Sequence, residues 1–193
     1  LSKIVQDMPD SGIKDFFDVA NTMEGALSLG VGEPDFPTPE HVREAAIASI
    51  KKGDTKYTDN RGTVELRAAA ADYLTKFDLH YDKQDEILIT MGASEGIDLA
   101  LRTLVNPGEE VLVAEPSYVS YIPCIELCGG VPVSLKLRAE NKFRLTREQL
   151  EEKITEKSKV LLISYPNNPT GAIMEREDLE AIAKIVEEKD LFV

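Results

Sequence analysis

From Glu86 onward the sequence alternates between short apolar runs and longer amphipathic stretches, and this alternation limits the folds open to the chain. The apolar runs predict strands at residues 87–90, 111–114, 131–135, 160–164 and 191–193. The stretches between them predict helices at residues 94–104, 118–127, 147–154 and 176–188. Strands joined by crossover helices run parallel, so the pattern predicts an α/β fold with a mainly parallel sheet flanked by helices.

Two more helices are predicted before this region, at residues 39–52 and 63–77. Thr38 is expected to cap the first of them, with Pro39 at its first helical position. These helices leave residues 1–38 as a separate N-terminal segment.

Charge and cysteine spacing exclude several classes of function. A net charge of −13 argues against nucleic acid or an anionic membrane as a partner, because binding phosphates requires a basic patch. Cys124 and Cys128 are expected to be core thiols, and His41 and His80 lie in no ligand pattern, so no metal site is predicted. Without a signal peptide or a long apolar run, a cytoplasmic protein is expected.

The sequence Tyr165-Pro166-Asn167-Asn168-Pro169-Thr170-Gly171 follows a predicted strand and forms a rigid turn. Ligands of open α/β sheets bind beyond the carboxyl ends of the strands, so the turn is expected to present Asn168 to a ligand. An amide held there can both donate and accept hydrogen bonds. An ordinary surface turn is the alternative, because Asn, Pro and Gly are common in turns.

Two other strand ends carry candidate ligand contacts. Gly92-Ala93-Ser94 joins a predicted strand to a helix, where free backbone amides and the helix dipole favour an anion; the alternative is that Ser94 simply caps the helix. Tyr118 follows the next strand and is expected either to stack on a planar ring or to pack against the sheet.

Five motifs follow one another in a fixed order and together cover nearly the whole chain. They are Gly32-Glu33-Pro34-Asp35-Phe36, Tyr57 with Gly62 and Leu66-Arg67, Gly92-Ala93-Ser94-Glu95, Pro116-Ser117-Tyr118, and Asn167-Asn168-Pro169-Thr170-Gly171. In this order they resemble the N-terminal portion of the class I and II pyridoxal-phosphate-dependent aminotransferases of fold type I, the aspartate and aromatic aminotransferase type. The resemblance implies a homodimer that uses pyridoxal 5'-phosphate to move an amino group from an α-amino acid to a 2-oxo acid.

The resemblance also implies roles for single residues. Ala93 and Ser94 are expected to hold the cofactor phosphate, Tyr118 to stack on its ring, and Asn168 to hydrogen-bond its phenolic oxygen. Tyr57 is expected to reach the cofactor phosphate of the partner subunit.

Substrate contacts are implied at Gly32, Asn168 and Ile13, the last in a segment that closes over bound substrate. Residues 1–38 are then the N-terminal segment of a small domain that covers the active site, and residues 39–193 are part of the large cofactor-binding domain. The side chains that select aromatic, aspartate-like or alanine-like donors are expected largely after Val193.

The family's catalytic residues cannot be placed in this sequence. The lysine that binds the cofactor as a Schiff base, the aspartate that pairs with its ring nitrogen and the arginine that binds substrate are all expected after Val193. None of the 14 lysines lies in the family's context for the catalytic one, so the chain is expected to be an N-terminal fragment without turnover of its own.

Three other functions are compatible with parts of the pattern. A pyridoxal-phosphate-dependent lyase of the same fold shares most of these motifs. The second is an aminotransferase-like effector-binding domain of a regulator, and the third is a Rossmann-type binding module without this cofactor. The regulator requires a DNA-binding segment, and the binding module does not explain Asn168 and Tyr118 together.

Overall fold

The computed structural model describes residues 1–8, 19, 22–25, 32 and 34–193. The chain divides into two compact units, Leu1–Asp10 with Met91–Val193, called the sheet unit here, and Ser11–Thr90, called the helical unit. Most of the segment predicted to cover the active site, including Ile13, lies outside the described residues. The assignment of residues 1–38 and 39–193 to two domains therefore stays a prediction.

The sheet unit is built on three parallel strands. These are β1 (Glu110–Glu115), β2 (Val131–Lys136) and β3 (Ser158–Leu162), arranged in the order β2-β1-β3. β1 pairs with both neighbours in parallel register. The predicted parallel sheet is confirmed, with β1 at its centre.

Helices cover both faces of this sheet, and two apolar clusters divide accordingly. The helices are α4 (Ala93–Leu104), α5 (Tyr121–Leu127), α6 (Arg147–Lys153) and α7 (Arg176–Lys189). Val111 and Val113 of β1 belong to one cluster with side chains of α4 and α5. Leu112 and Ala114 belong to the other, with side chains of α6 and α7. The alternation of side chains along a strand thus buries β1 on both faces.

Two predicted strands differ from the structure. Residues 87–90 form no ladder within the part of the chain described, and the amide of Ile89 donates instead to the carbonyl of Arg61 at 3.0 Å. Residues 191–193 form a single parallel bridge between Phe192 and Val160, beside β3. An extended apolar run becomes a strand only where a neighbouring edge accepts its backbone groups, and the sequence pattern does not reveal that neighbour.

The helical unit contains α2 (Glu40–Lys52) and α3 (Val64–Leu74), and a 3₁₀ turn, Thr75–Phe77, follows α3. Thr63 caps α3, accepting from the amide of Leu66 at 3.3 Å. The predicted cap at Thr38 is wrong: Pro39, with extended ψ of 141°, is the N-cap, and no side chain caps the helix. The chain therefore enters α2 one residue later than expected.

The remaining elements are short. α1 (Lys3–Asp7) belongs to the sheet unit, as does the 3₁₀ turn Ala139–Asn141. In the described part of the chain, no helix has the length and apolar character needed to cross a membrane.

Candidate active site

The carboxyl ends of β1 and β3 form one edge of the sheet. The two strands are parallel neighbours, so the loops that follow them begin side by side. Tyr118 lies in the loop after β1, and Asn168 lies in the turn after β3. The structure therefore brings these two predicted residues to the same edge of the sheet.

The start of α4 supplies a third component of this edge. Gly92 is its N-cap, with φ of 84° and ψ of 171°, a conformation that side chains disfavour. A Cβ there would meet no atom within 4 Å, so the glycine is required for its backbone conformation rather than for space. Ala93 and Ser94 occupy the first turn and are exposed, and the first amides of a helix have no partner within it.

Ser94 is not a helix cap, because the cap position belongs to Gly92 and Ser94 lies inside α4. Its Oγ lies 3.2 Å from the hydroxyl oxygen of Tyr118, within hydrogen-bonding distance. Side-chain hydrogen bonds with Ser120 and with Ser94 lower the pKa of Tyr118 below its usual range. The tyrosine hydroxyl is thus held beside the start of α4.

Tyr118 was expected at the start of a helix, but α5 begins three residues later, at Tyr121. The amide of Tyr121 donates to the carbonyl of Tyr118 at 3.1 Å and forms a turn before the helix. The two rings pack edge to face, 5.7 Å apart at 81°. Tyr118 is half-buried, so one part of its ring contacts the core while the rest is accessible.

A carboxylate also lies at the start of α4. Glu95 accepts a hydrogen bond from the amide of Met91, immediately before Gly92. An acidic side chain in the first turn is favourable for the helix dipole. A phosphate at this position would consequently be bound by the amides of Ala93 and Ser94 and by hydroxyls, beside an existing carboxylate.

The turn after β3 exposes Asn168 and buries its neighbour Asn167. The side chain of Asn168 makes no hydrogen bond to any residue that the structure describes. Asn167 is 5% exposed, and its Nδ2 donates to the carbonyl of Pro116 at 3.2 Å. Sequence reasoning missed Asn167; an Asn three residues before Thr170 is a local signal of a side-chain-closed turn that could have found it.

Two other predicted site residues, Tyr57 and Gly32, lie in the helical unit. Both are exposed. Ile13 lies outside the described residues.

Another part of the sheet unit contains a cavity of about 280 Å³ at the outer strand β2. Its lining includes Lys136, Arg138 and Lys153 and none of the predicted site residues.

The two thiols, Cys124 and Cys128, pack in or against the core of the sheet unit. Cys124 is buried in the core, which raises the pKa of its thiol, and the Sγ of Cys128 donates to the carbonyl of Ile125 at 3.1 Å. Among the residues described, no group of three or more His, Cys, Asp or Glu side chains could hold a metal ion.

The donor set at the strand ends fits a phosphorylated aromatic cofactor. Helix amides and the Ser94 hydroxyl suit a phosphate, the half-exposed ring of Tyr118 suits stacking, and the amide of Asn168 suits a polar ring substituent. These groups lie at the start of α4, in the loop after β1 and in the turn after β3.

Known proteins resemble this chain in sequence and fold. Residues 24–193 match the family described as aminotransferase class I and II. The chain is 43% identical over 194 residues to the aromatic-amino-acid aminotransferase 2 of Thermococcus litoralis, covering 100% of this chain and 50% of that protein. It is 42% identical over 184 residues to the aspartate aminotransferase of Pyrococcus abyssi, covering 95% and 47%.

Solved structures agree with these sequence matches. The aspartate aminotransferase of Thermotoga maritima superimposes with a TM-score of 0.93 at 35% identity, covering 99% of this chain and 52% of that one. The chain thus spans about half the length of the relatives it matches. The family match extends over most of the sequence, so the chain belongs to the class I and II aminotransferases.

Proposed function

We propose that the protein containing this chain moves an amino group from an α-amino acid to a 2-oxo acid with pyridoxal 5'-phosphate. The observation that supports this most is the contact of Ser94 with Tyr118 at the start of α4, at the sheet edge that also presents Asn168. An anion site, an aromatic ring and a free amide at one edge match the three chemical parts of this cofactor.

The phosphate end is held by α4. The amides of Ala93 and Ser94 and the Ser94 hydroxyl donate to the phosphate, and the helix dipole adds to the attraction. The carboxylate of Glu95 already accepts from the amide of Met91, so the amides of Ala93 and Ser94 would hold the phosphate beside this carboxylate.

The ring end is held by the two strand-end loops. Tyr118 stacks on the ring, and the amide of Asn168 donates to the phenolic oxygen and adjusts its charge. Bound pyridoxal phosphate would supply an aldehyde that takes up the amino group and a ring that stabilises charge on the α-carbon of the substrate. Asn168 and Gly32 contact the substrate, and Ile13 belongs to the segment that closes over it.

Other parts of the proposal rest on the family alone. Residues 1–38 contribute to the cover of the active site, and residues 39–193 to the large cofactor-binding domain. The protein is a cytoplasmic homodimer in which Tyr57 reaches the cofactor phosphate of the partner subunit. The exposure of Tyr57 in this structure is compatible with that role.

The named relatives and the family's sequence pattern also support proposals on the amino donor and on the turnover of this chain. The relatives are named for aspartate and for aromatic amino acids, so donors of these two classes are proposed. None of the 14 lysines lies in the family's catalytic context, so the 193-residue chain is proposed to have no turnover by itself.

An amino-transfer assay on the complete gene product tests this function. With aspartate or an aromatic amino acid as donor and 2-oxoglutarate as acceptor, we expect formation of glutamate. We expect Asn168→Ala to lower the rate strongly, whereas Asn141→Ala, an exposed change on the turn Ala139–Asn141, leaves it unchanged. Ammonia release without glutamate would indicate a lyase and contradict the proposal.

A further inference from the structure

Two adjacent asparagines in the turn after β3 have opposite environments. Asn168 is exposed, whereas Asn167 is 5% exposed and satisfies most of its side-chain hydrogen-bonding capacity. The Oδ1 of Asn167 accepts from the amide of Thr170 at 3.1 Å and from its hydroxyl at 2.8 Å. Its Nδ2 donates to the carbonyl of Pro116 at 3.2 Å.

The bond from Asn167 to Pro116 joins two loops. Pro116 lies 51 residues earlier in the chain and two residues before Tyr118, in the loop after β1. Asn167 immediately precedes Asn168. One buried side chain therefore connects the loop that carries the stacking ring to the turn that carries the free amide.

The other contacts of Asn167 make its own turn rigid. Its amide donates to the carbonyl of Ala172 at 2.8 Å, and its carbonyl accepts from the amide of Gly171 at 2.8 Å. Together with the two bonds from Thr170, these contacts close the turn on itself. A displacement of Asn167 relative to Pro116 would consequently move Asn168 as well.

We propose that Asn167 is a positioning residue that sets the place of Asn168 relative to the ring of Tyr118. The inference rests on the proposed function, because it assumes that both residues contact one cofactor. The chemistry requires an amide at this position: a carboxylate of the same shape can still accept from Thr170 but has no proton to donate to the carbonyl of Pro116. Aspartate would place two acceptors against each other.

The test compares binding of two probes by the complete protein and by its variants at Asn167. Pyridoxamine 5'-phosphate reports on the whole site and, lacking an aldehyde, does not react with surface lysines; inorganic phosphate reports on the start of α4 alone. Asn167→Asp removes the hydrogen bond to Pro116. Asn167→Ala removes the side-chain hydrogen bonds to both Pro116 and Thr170 without adding charge. Asn141→Asp, on the exposed turn Ala139–Asn141, is the charge control. Backbone amide chemical shifts give the response at each end of the site.

In the unchanged chain, pyridoxamine phosphate is expected to shift the amides of Ala93, Ser94, Tyr118 and Asn168. In Asn167→Asp and Asn167→Ala, we expect the shifts at Tyr118 and Asn168 to be lost and affinity for pyridoxamine phosphate to fall about tenfold, the factor of one lost hydrogen bond. The shifts at Ala93 and Ser94 and the affinity for inorganic phosphate should stay within twofold of those of Asn141→Asp. General unfolding would instead abolish the response at both ends of the site.

Two results would overturn the inference, and they are distinguishable. If both Asn167 variants keep the full ring-end response, Asn167 has no positioning role and the proposed function stands. If the unchanged complete protein shows no response to pyridoxamine phosphate at these amides, the proposed cofactor site itself is wrong, and the role of Asn167 is wrong with it. Loss of the response at both ends in Asn167→Ala would also count against the inference, because it indicates a purely structural role.

Discussion

The two units of this chain are stabilised in different ways. In the sheet unit, buried apolar side chains fill both faces of the sheet, and Leu112, Val111 and Val113 are completely inaccessible. In the described part of the helical unit, the one buried residue is Arg67, at 1% exposure. Apolar side chains of α2 and α3 such as Ile50 and Leu66 are exposed.

Arg67 organises the helical unit through hydrogen bonds to backbone carbonyls. Its Nε donates to Gly62 at 3.2 Å, and its Nη1 donates to Lys83 at 2.5 Å and to Gln84 at 3.0 Å. Asp59 lies 3.8 Å from its Nη2 and balances the charge. Removing apolar volume should therefore destabilise the sheet unit, whereas removing a polar group should destabilise the helical unit.

The largest expected effect is in the apolar core. Leu112→Ala removes a buried side chain from the centre of β1, and we expect the free energy of unfolding of the sheet unit to fall by about 3 kcal/mol. Hydrogen exchange of peptides from β1, β2 and β3 measures this loss. Leu179→Ala, at a 44% exposed position of α7, is the matched control, with an expected loss below about 1 kcal/mol. Equal losses in both variants would show that the sheet unit does not depend on its buried apolar side chains more than on its exposed ones.

The next effect concerns the buried guanidinium. Arg67→Met keeps much of the side-chain volume but removes the side-chain donor to the carbonyls of Gly62 and Lys83 and one of two such donors to that of Gln84. We therefore expect a loss of about 2 kcal/mol. Faster hydrogen exchange should appear in peptides covering residues 61–67 and 83–89 and not in the strands. Arg61→Met, at a more exposed arginine in the loop before α3, should cost less. A neutral or stabilising Arg67→Met would show that apolar packing suffices in this unit as well.

A smaller effect is expected at Gly62, which joins the loop to α3. Its φ is 94°, and a Cβ there would lie 2.6 Å from Cγ1 of Ile89, so Gly62→Ala combines backbone strain with a clash. We expect a loss of about 1–2 kcal/mol. Gly53→Ala, with φ of 83° but open space, isolates the backbone contribution. Thermal unfolding of the two variants gives the difference in stability loss. If Gly62→Ala loses no more stability than Gly53→Ala, the close contact between position 62 and Ile89 is refuted.

The smallest effect is on pH dependence. The hydrogen bonds of Asp59 with Arg61 lower the pKa of Asp59 from its ordinary value of 3.8. A carboxylate with a lowered pKa stabilises the folded state above pH 3.8 and loses this contribution as the pH falls through its folded pKa. After correction for the pH dependence of intrinsic exchange, the protection of loop amides against hydrogen exchange should therefore fall below pH 3.8. An Asp59→Asn variant should lack that fall, and a variant with an unchanged profile would exclude Asp59 as its source.

Local sequence patterns predicted those features of the fold that depend on residues close together in the sequence. The run Val111–Ala114 is apolar throughout because both faces of β1 are covered, and the prolines beside Asn168 indicated a rigid turn. The fold class, the positions of β1, β2 and β3, and the exposure of Asn168 could therefore be anticipated from the sequence.

Long-range contacts could not be predicted in this way. The bond from Asn167 to Pro116 spans 51 residues, and the contact of Ser94 with Tyr118 spans 24. The burial of Arg67 depends equally on carbonyls 16 and 17 residues away. For the same reason, the pattern predicts a strand at residues 87–90 that does not form. It shows an apolar run but not whether a neighbouring strand is present to pair with it.

A crystal structure of the chain with pyridoxamine 5'-phosphate tests the central claim most directly, because it locates the phosphate and the ring at once. The account predicts the phosphate against the amides of Ala93 and Ser94, the ring against Tyr118 and the phenolic oxygen against Asn168. A phosphate bound instead in the cavity beside Lys136, Arg138 and Lys153 would contradict it.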